Sequence, residues 1–515
     1  MRGSFAAARM TYFRFLDMAR YGLGWIGGFC SRLADVVPGV HKWRFWLLLA
    51  LAVKLMYFWI VVHQPRSHWP VEGSFGILHT EGPSYIDPIE NLVIEGDYSP
   101  DFRMPGYGVL YLPLRLVLPR PMALDALVLL QTLLDALAVY ALALGAFLLV
   151  RSRAAFLLVF LLYGMGSTVS CFNAYVMTEG VTASMLCFAF HFSMRYVRTG
   201  TYSALVLASG LLTWAYFIRP ITIVLVGLMG LYVVHQVIVR RRGTWRHLIV
   251  YLVPIMLIQG AWTIRNAYHH GRIFLLTKET YLGMFNKTTV AAWQFVGTFD
   301  DNLADYGFES GASLFPEADR NKPQTKTGFP SWIFTNTVAP DSLDELRRLC
   351  PLLLSDTVPA SERERLDLEL AARFDRYARS IRAEHPWMAY AVTPTKRAMR
   401  QIQRTTGVLM LFTTPFDELG LFHKLVKVFG VLLYKLALFG ALLFIPWSVW
   451  RWRLGLWPVA LAVAYGLFIH SVVLGFGNER YLYPFFPLMC LGAGLFYAAL
   501  WARFAGMSSP GPERS

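Results

Sequence analysis

Long runs of apolar residues recur along the chain, and several are long enough to cross a lipid bilayer as helices. A membrane-spanning helix needs about 20 mostly apolar residues. Ten segments reach or approach that length, and we predict a span in each of 43–63, 122–150, 154–171, 176–195, 202–217, 220–239, 247–264, 426–447, 454–474 and 481–502. The pattern therefore predicts an all-α polytopic membrane protein.

Basic residues between the spans predict the orientation. If the N-terminus is cytoplasmic, the short inner loops carry Arg151 and Arg153, Arg195 and Arg198, the run 240–242, and Arg451 and Arg453. Cytoplasmic loops are enriched in Lys and Arg, so both termini are expected on the cytoplasmic side. Two long stretches, 64–121 and 265–425, then face away from the cytoplasm.

These boundaries divide the chain into five parts. Residues 1–42 are predicted to be a cytoplasmic or interfacial N-terminal segment, and 43–264 a transmembrane bundle that includes the first outer loop, 64–121. The long loop 265–425 is rich in charge, Gly and Pro at first and then helical, which predicts a mostly helical extracytoplasmic domain. Residues 426–503 form the C-terminal membrane helices, and 504–515 form a cytoplasmic tail.

Composition supports a membrane protein and argues against other classes. Apolar residues make up 56% of the chain and charged residues only 16%, whereas soluble domains are about 25% charged. The formal net charge is +15, but its basic residues lie in short clusters between spans, so no nucleic-acid surface is indicated. Five cysteines without CxxC spacing, and histidines without HxxxH or HExxH spacing, indicate neither a disulfide scaffold nor a helical metal site. Carboxylates could hold a divalent metal, although no pattern requires one.

Charged side chains gather at the predicted outer ends of the spans. The acids are Glu81, Asp87, Glu90 and Glu179, and the arginines are Arg103, Arg219, Arg265 and Arg480. A carboxylate there could take a proton from an acceptor hydroxyl or amine, with a pKa raised by partial burial. An acidic loop facing water is the alternative for the first-loop acids, and an ion pair with Arg219 or Arg265 is the alternative for Glu179.

The arginines suggest a ligand for this cluster. Guanidinium groups are always charged and bind phosphate oxygens in pairs, so Arg219, Arg265 and Arg480 at one membrane surface suit a lipid phosphate. Snorkelling of each side chain to the interface is the alternative explanation. Inside the bilayer, Lys54 and Asp135 fall at similar depth on the first two spans, and we predict that they form a structural ion pair.

Several short motifs, in a consistent order and all at the outer side, carry a family resemblance. They are YIDPIENLVIEGDYS and RMPGYG in the first outer loop, then VMTEG, FIRP, WTIRNAYHHGR and the late NERYLYPFFP. Over most of its length the chain resembles the GT-C superfamily of polyprenyl-phosphate-sugar glycosyltransferases, which includes protein O-mannosyltransferases and lipid A aminoarabinose transferases. The resemblance implies a GT-C-like bundle of about ten transmembrane helices in a bacterial inner membrane.

The resemblance also implies roles for the outer cluster. Glu81 takes the place of the family's first-loop acid and Glu179 that of its second outer acid, while Asp87 stays open as the base instead of Glu81. The donor, a polyprenyl phosphate-sugar, would be held by Arg219, Arg265, Arg480 and Tyr481. Tyr85, Glu90 and Arg103 would contact a glycan, lipid or protein acceptor. The alternatives from other classes are a transporter or flippase of a lipid-linked sugar and a non-catalytic membrane assembly subunit.

Overall fold

A computed structural model describes most of the chain. The described residues are 39–63, 71–78, 81–100, 103–238, 244–276, 286–300, 306, 308, 328–355, 357–404, 414–451, 456–473 and 479–504. Most of the predicted segment 1–42 and nearly all of the tail 504–515 lie outside them, so those predictions stay open.

Helices dominate the described residues. The α-helices are α1 (Trp43–His63), α2 (Pro83–Glu95), α3 (Gly108–Val117), α4 (Arg120–Val150), α5 (Arg153–Val159), α6 (Thr178–Thr199), α7 (Tyr202–Ile218), α8 (Ile223–Ile238), α9 (Trp245–His270), α10 (Lys287–Val296), α11 (Pro340–Leu349), α12 (Ala360–Glu384), α13 (Thr393–Gln403), α14 (Leu421–Trp450), α15 (Trp457–Phe468) and α16 (Phe486–Phe504). One short antiparallel hairpin pairs β1 (Val71–Glu72) with β2 (Gly76–Ile77).

Nine of the ten predicted spans coincide with a helix over most of their length, and the tenth, 154–171, is helical only in its first part. Six helical segments are long and apolar enough to cross a membrane: Trp43–His63, Arg120–Val150, Pro220–Ile238, Trp245–His270, Leu421–Trp450 and Arg480–Phe504. Shorter apolar helices occupy Gly108–Val117, Arg153–Gly164, Tyr202–Ile218 and Trp457–Val473. The prediction of an all-α polytopic membrane protein is confirmed.

The predicted span 154–171 is shorter than expected. Helix α5 continues as a wider π turn over Phe160–Gly164 and then ends. Two glycines lie at this end, and a Cβ on Gly166 would come within 2.7 Å of the Leu162 carbonyl oxygen. The chain then runs through an irregular buried segment to the start of α6, so this part of the bundle is built from loop as well as helix. Irregular backbone at such depth requires polar partners inside the protein.

Lys54 and Asp135 provide those partners. Their charged atoms lie 3.2 Å apart with both side chains fully buried, which confirms the predicted pair. Lys54 Nζ also donates to Ser170 Oγ at 2.7 Å and to the Tyr163 carbonyl at 3.2 Å. Asp135 accepts from the Tyr163 hydroxyl at 2.8 Å and from Asn173 Nδ2 at 2.9 Å. The pair therefore ties α1 and α4 to the irregular segment that leads into α6.

A second hydrophobic core, separate from the core of the bundle, is built by the predicted loop domain. Helices α10, α11 and α12 contribute aromatic and aliphatic side chains, among them the buried Phe295 and Phe374, and Phe308 joins them from outside the helices. Helix α13 follows and packs against the turn at 469–473, and Lys435 of α14 donates to the carbonyls of Ile402 and Gln403, each at 2.6 Å. The loop domain is thus attached to the bundle at the end of α13.

Candidate functional site

Glu81 and Glu179, two acids at the predicted outer ends of the spans, come from different segments of the chain. Glu81 sits in the turn before α2, where the Ser84 amide and hydroxyl both donate to its backbone carbonyl, at 3.2 and 2.6 Å. Glu179 lies in the first turn of α6 with its side chain fully buried. A carboxylate near a helix N-terminus is favoured by the helix dipole, but at this burial it also needs a charged partner.

Arg480 is that partner, and it joins the two acids. Its Nη1 donates to Glu81 Oε1 at 3.1 Å, and its Nε donates to Glu179 Oε1 at 2.5 Å. The residues are far apart in the chain but meet because the segment Glu479–Phe485 packs against α6. A guanidinium can serve both acids because it offers donors in several fixed directions. One arginine therefore fixes the two carboxylates relative to each other.

Two further arginines complete the network, which we call the acid–arginine cluster: Glu81, Glu179, Arg103, Arg219 and Arg480. Arg219 donates to Glu179 Oε1 at 3.0 Å and to the Thr178 hydroxyl at 2.8 Å. Arg103 donates to Glu81 Oε2 at 3.1 Å. Three guanidinium groups against two carboxylates leave one net positive charge, and all five side chains are at most 22% exposed. A partly buried positive cluster favours an anion.

One carboxylate oxygen of the cluster has no hydrogen-bond donor among the described residues. Glu179 Oε2 is buried and accepts no hydrogen bond from the described residues. A buried carboxylate oxygen without a donor costs free energy, which a ligand hydroxyl, an amine or a water molecule could recover. The acid therefore keeps one acceptor position available for a bound molecule.

The pKa of Glu81 differs from the expectation of a raised value. Burial alone would raise the pKa of this carboxyl, but the charges of Arg480 and Arg103 outweigh burial and lower it below its usual value of 4.5. Partial burial does raise the pKa of Asp87, against the pull of Arg120. Glu81 is thus ionised at neutral pH and ready to accept a proton, although its neighbours make it a weak base.

Tyr85 and Arg103 lie beside Glu81. The Arg103 guanidinium stands 4.3 Å from the centre of the Tyr85 ring, and its Nε donates to the Ser84 hydroxyl at 3.1 Å. Burial raises the pKa of Tyr85, so its hydroxyl stays protonated. These residues hold Glu81 from one side while Arg480 holds it from the other.

Asp87 and Glu90 pair with other residues, away from the acid–arginine cluster. Asp87 is half exposed and lies 3.5 Å from Arg120. Glu90 is buried, accepts from the Tyr111 hydroxyl at 2.5 Å, and is paired with Arg115 at 2.9 Å. Both pairs join α2 to the elements that follow it, which is a structural arrangement. The predicted catalytic role of Asp87 and the predicted acceptor role of Glu90 remain predictions.

Arg265 lies in a different set of contacts from the cluster. It donates to the Tyr98 carbonyl and to Asn266 Oδ1, and its guanidinium stands 5.2 Å from the Trp262 ring. It therefore ties α9 to the first outer loop. The sequence does not distinguish Arg265 from Arg219 and Arg480, because hydropathy predicts the same membrane depth for all three. Its predicted role in donor binding remains a prediction.

The sequence reading missed two polar side chains at the site. Thr178 orients Arg219, and His470 stacks on Tyr481 with ring centres 5.0 Å apart and planes 15° apart. His470 lies on the π turn Ile469–Val473, and its Nδ1 is buried without a partner among the described residues. The only signal for it in the sequence is a histidine near the end of an apolar span, which more often marks an interfacial residue.

No group of three or more His, Cys, Asp or Glu side chains placed to hold a metal ion is found among the described residues. The carboxylates of the acid–arginine cluster are each bound to guanidinium groups.

Comparison with known proteins gives similarities of fold. No protein-family model matches the chain, and no curated protein sequence matches it. Among solved structures, the chain is similar to the archaeal oligosaccharyltransferase AglB from Archaeoglobus fulgidus, in complex with an inhibitory peptide and a dolichol-phosphate. This similarity has 10% identity and a TM-score of 0.43, and it covers 88% of this chain and 50% of AglB. The chain thus spans half the length of that relative.

The chain is also similar to ArnT from Cupriavidus metallidurans. The structure bound to undecaprenyl phosphate matches with 14% identity and a TM-score of 0.35, over 87% of this chain and 77% of ArnT. The apo structure matches with 13% identity and a TM-score of 0.32, over 88% and 77%. Each of these similarities extends over most of this chain, at 10–14% identity and with TM-scores of 0.32 to 0.43.

Proposed function

We propose that the chain is a membrane glycosyltransferase that moves a sugar from a polyprenyl-phosphate donor to a lipid, glycan or protein acceptor at the extracytoplasmic face. The observation that carries the proposal is the acid–arginine cluster, in which Arg480 binds both Glu81 and Glu179. The motif resemblance over most of the chain supports the same function. AglB and ArnT were solved with dolichol-phosphate and undecaprenyl phosphate, and we infer a lipid of that class as the donor carrier here.

The chemistry follows from the charges. Glu81 takes the proton from the acceptor hydroxyl or amine, and the acceptor atom forms a bond to the anomeric carbon. The bond between that carbon and the phosphate oxygen breaks, and its electron pair leaves with the polyprenyl phosphate. The leaving phosphate gains negative charge next to a cluster with one net positive charge. Charge that develops beside preorganised donors is stabilised more in the transition state than in the ground state.

Donor binding also tunes the base. In the free protein, Arg480 and Arg103 lower the pKa of Glu81. A donor phosphate beside Arg480 would offset part of that positive charge and raise the pKa of Glu81 again. The carboxylate would become a stronger base when the donor is present, which couples proton removal to donor binding.

Lipid binding and transfer can be measured separately on the purified protein. Binding of undecaprenyl phosphate is measured by native mass spectrometry, and transfer is measured as its release from a panel of undecaprenyl-phosphate-linked sugars. Glu81→Gln should keep its lipid affinity and release the lipid about 10²-fold more slowly, the usual scale for general base catalysis. Asp87→Asn is the matched control, because its carboxylate pairs with Arg120.

For the phosphate site, Arg480→Gln should lose lipid binding. Arg347→Gln should not, because Arg347 is buried to a similar extent but is paired with Asp344 in the loop domain. If Asp87→Asn abolishes transfer while Glu81→Gln is near wild type, Asp87 is the base. If neither acid matters while the arginine substitutions still abolish lipid binding, the protein carries a lipid-linked sugar without transferring it.

A further inference from the structure

One buried side chain of α4 connects the segments that carry the two acids. Gln131 is 1% exposed and uses every hydrogen-bonding group of its carboxamide. Its Nε2 donates to the carbonyls of Asn173 and Tyr175, at 3.0 and 3.1 Å, and its Oε1 accepts from the Tyr107 hydroxyl at 2.8 Å. An amide with two donors and one acceptor satisfied in this way has a fixed orientation.

The first connection leads to Glu81. The Tyr107 ring packs on the Tyr85 ring, with centres 5.4 Å apart, and Tyr85 lies under the Arg103 guanidinium that pairs with Glu81. Next to Tyr107, the Gly106 amide donates to the Phe217 carbonyl at 3.0 Å. A Cβ on Gly106 would come within 2.4 Å of Phe217, so only glycine allows this approach. Tyr107 is therefore held between Gln131 and the surroundings of Glu81.

The second connection leads to Glu179. Asn173 and Tyr175 lie in the irregular segment that enters α6 at Thr178, one residue before this acid. The same segment pairs with the hairpin, since the Val176 amide donates to the Ile77 carbonyl at 2.9 Å. Gln131 fixes two carbonyls of a segment that has no regular structure of its own.

We propose that Gln131 is a positioning residue that sets the place of Glu81 relative to Glu179, and this inference rests on the proposed function. Because Gln131 is hydrogen-bonded on one side to the Tyr107 hydroxyl and on the other to the carbonyls of Asn173 and Tyr175, its loss loosens both acid-bearing segments at once. The two acids are then held together by Arg480 and by the backbone pairing of Val176 with Ile77. Catalytic groups must be held within about 0.5 Å of the productive geometry, and a misplacement of about 1 Å can cost about 10²-fold in rate.

The test separates positioning from stability and from donor binding. Gln131→Leu removes both connections, whereas Tyr107→Phe keeps the two bonds of Gln131 to Asn173 and Tyr175 but removes the contacts of the Tyr107 hydroxyl with Gln131 and with the Met177 backbone. Ser209→Ala is the matched control, because its fully buried hydroxyl donates to the Tyr251 carbonyl at 2.5 Å and joins α7 to α9 instead. For each variant we would measure the turnover number, the affinity for undecaprenyl phosphate and the melting temperature in detergent.

Gln131→Leu should lower turnover by about 10-fold or more while donor affinity stays within about twofold of wild type. Tyr107→Phe should lower turnover less, and the double variant should be no slower than Gln131→Leu, because the two residues share one connection. Ser209→Ala should turn over like wild type.

Turnover equal to wild type in both Gln131→Leu and Tyr107→Phe overturns the positioning role, as does a loss of turnover that Ser209→Ala shares. If Gln131→Leu does not fold, Tyr107→Phe decides the question alone. The proposed function is overturned separately if the wild-type protein binds undecaprenyl phosphate but releases it from none of the lipid-linked sugars. This outcome is seen in the wild type, before any variant is compared.

Discussion

The buried pair Lys54 and Asp135 allows a quantitative test of the fold. Lys54→Met leaves a carboxylate in a fully buried position, and it also removes the donor to the Tyr163 carbonyl and to Ser170. Breaking a buried ion pair by removing one partner costs about 3–5 kcal/mol. Asp135 keeps three other donors, from Tyr163, Ser170 and Asn173. These donors stabilise the remaining charge. We therefore expect Lys54→Met to lower the free energy of unfolding by about 3 kcal/mol, the lower end of that range.

The matched double variant is Lys54→Met with Asp135→Asn. Asparagine removes the charge, its oxygen can accept from Asn173 and Ser170, and its amide can donate to the Tyr163 hydroxyl. Only the two hydrogen bonds of the lysine are then lost, at about 1 kcal/mol each. Asp135→Leu would be a poorer partner, because it leaves three buried donors without an acceptor.

Denaturant titration in mixed micelles, followed by tryptophan fluorescence, measures the free energy of unfolding of the wild type, of Lys54→Met and of the double variant. The double variant should be more stable than Lys54→Met by about 1 kcal/mol or more, since unpaired charge costs more than lost hydrogen bonds. Equal stability of Lys54→Met and the double variant would refute the reasoning. It would show that the remaining donors satisfy the carboxylate without the lysine.

Four other predictions concern the site and the orientation. The pKa of Glu81 is lowered below 4.5 in the free protein, so kcat/KM should decrease on the acid side only below that pH. The acid-side decrease of kcat, which reports the donor complex, should occur at a higher pH. If both decreases occur at the same pH, donor binding does not raise the pKa of Glu81. Arg480→Lys should lose transfer, because an ammonium cannot reproduce the fork that binds both carboxylates, and a fully active lysine variant would contradict the bridging geometry. Arg265→Gln should bind undecaprenyl phosphate as the wild type does, because Arg265 contacts Tyr98 and not the acid–arginine cluster. Loss of lipid binding in this variant would show that Arg265 contacts the donor. A single cysteine near 300 should react with a membrane-impermeant thiol reagent and one at 243 should not; the reverse would overturn the orientation.

Hydropathy and charge along the chain determine the elements and their depth. All predicted spans except 154–171 coincide with a helix over most of their length, because a long apolar segment has few other stable arrangements in a bilayer. The same reasoning found the pair of Lys54 and Asp135, since a charge at mid-depth needs a partner at the same level. It also indicated that Glu179 needs an arginine, which it has.

Neighbours within the plane of the membrane are decided only by the tertiary structure. The sequence gives Arg219, Arg265 and Arg480 the same depth, yet the first and last bind Glu179 while Arg265 turns to Tyr98. Likewise Gln131 reads as one polar residue in an apolar span, although it joins two distant segments. The apolar length of each segment determines how deep its residues lie along the membrane normal, and it can be read from that segment alone. Contacts between helices depend on how all the helices pack, which is a property of the whole chain.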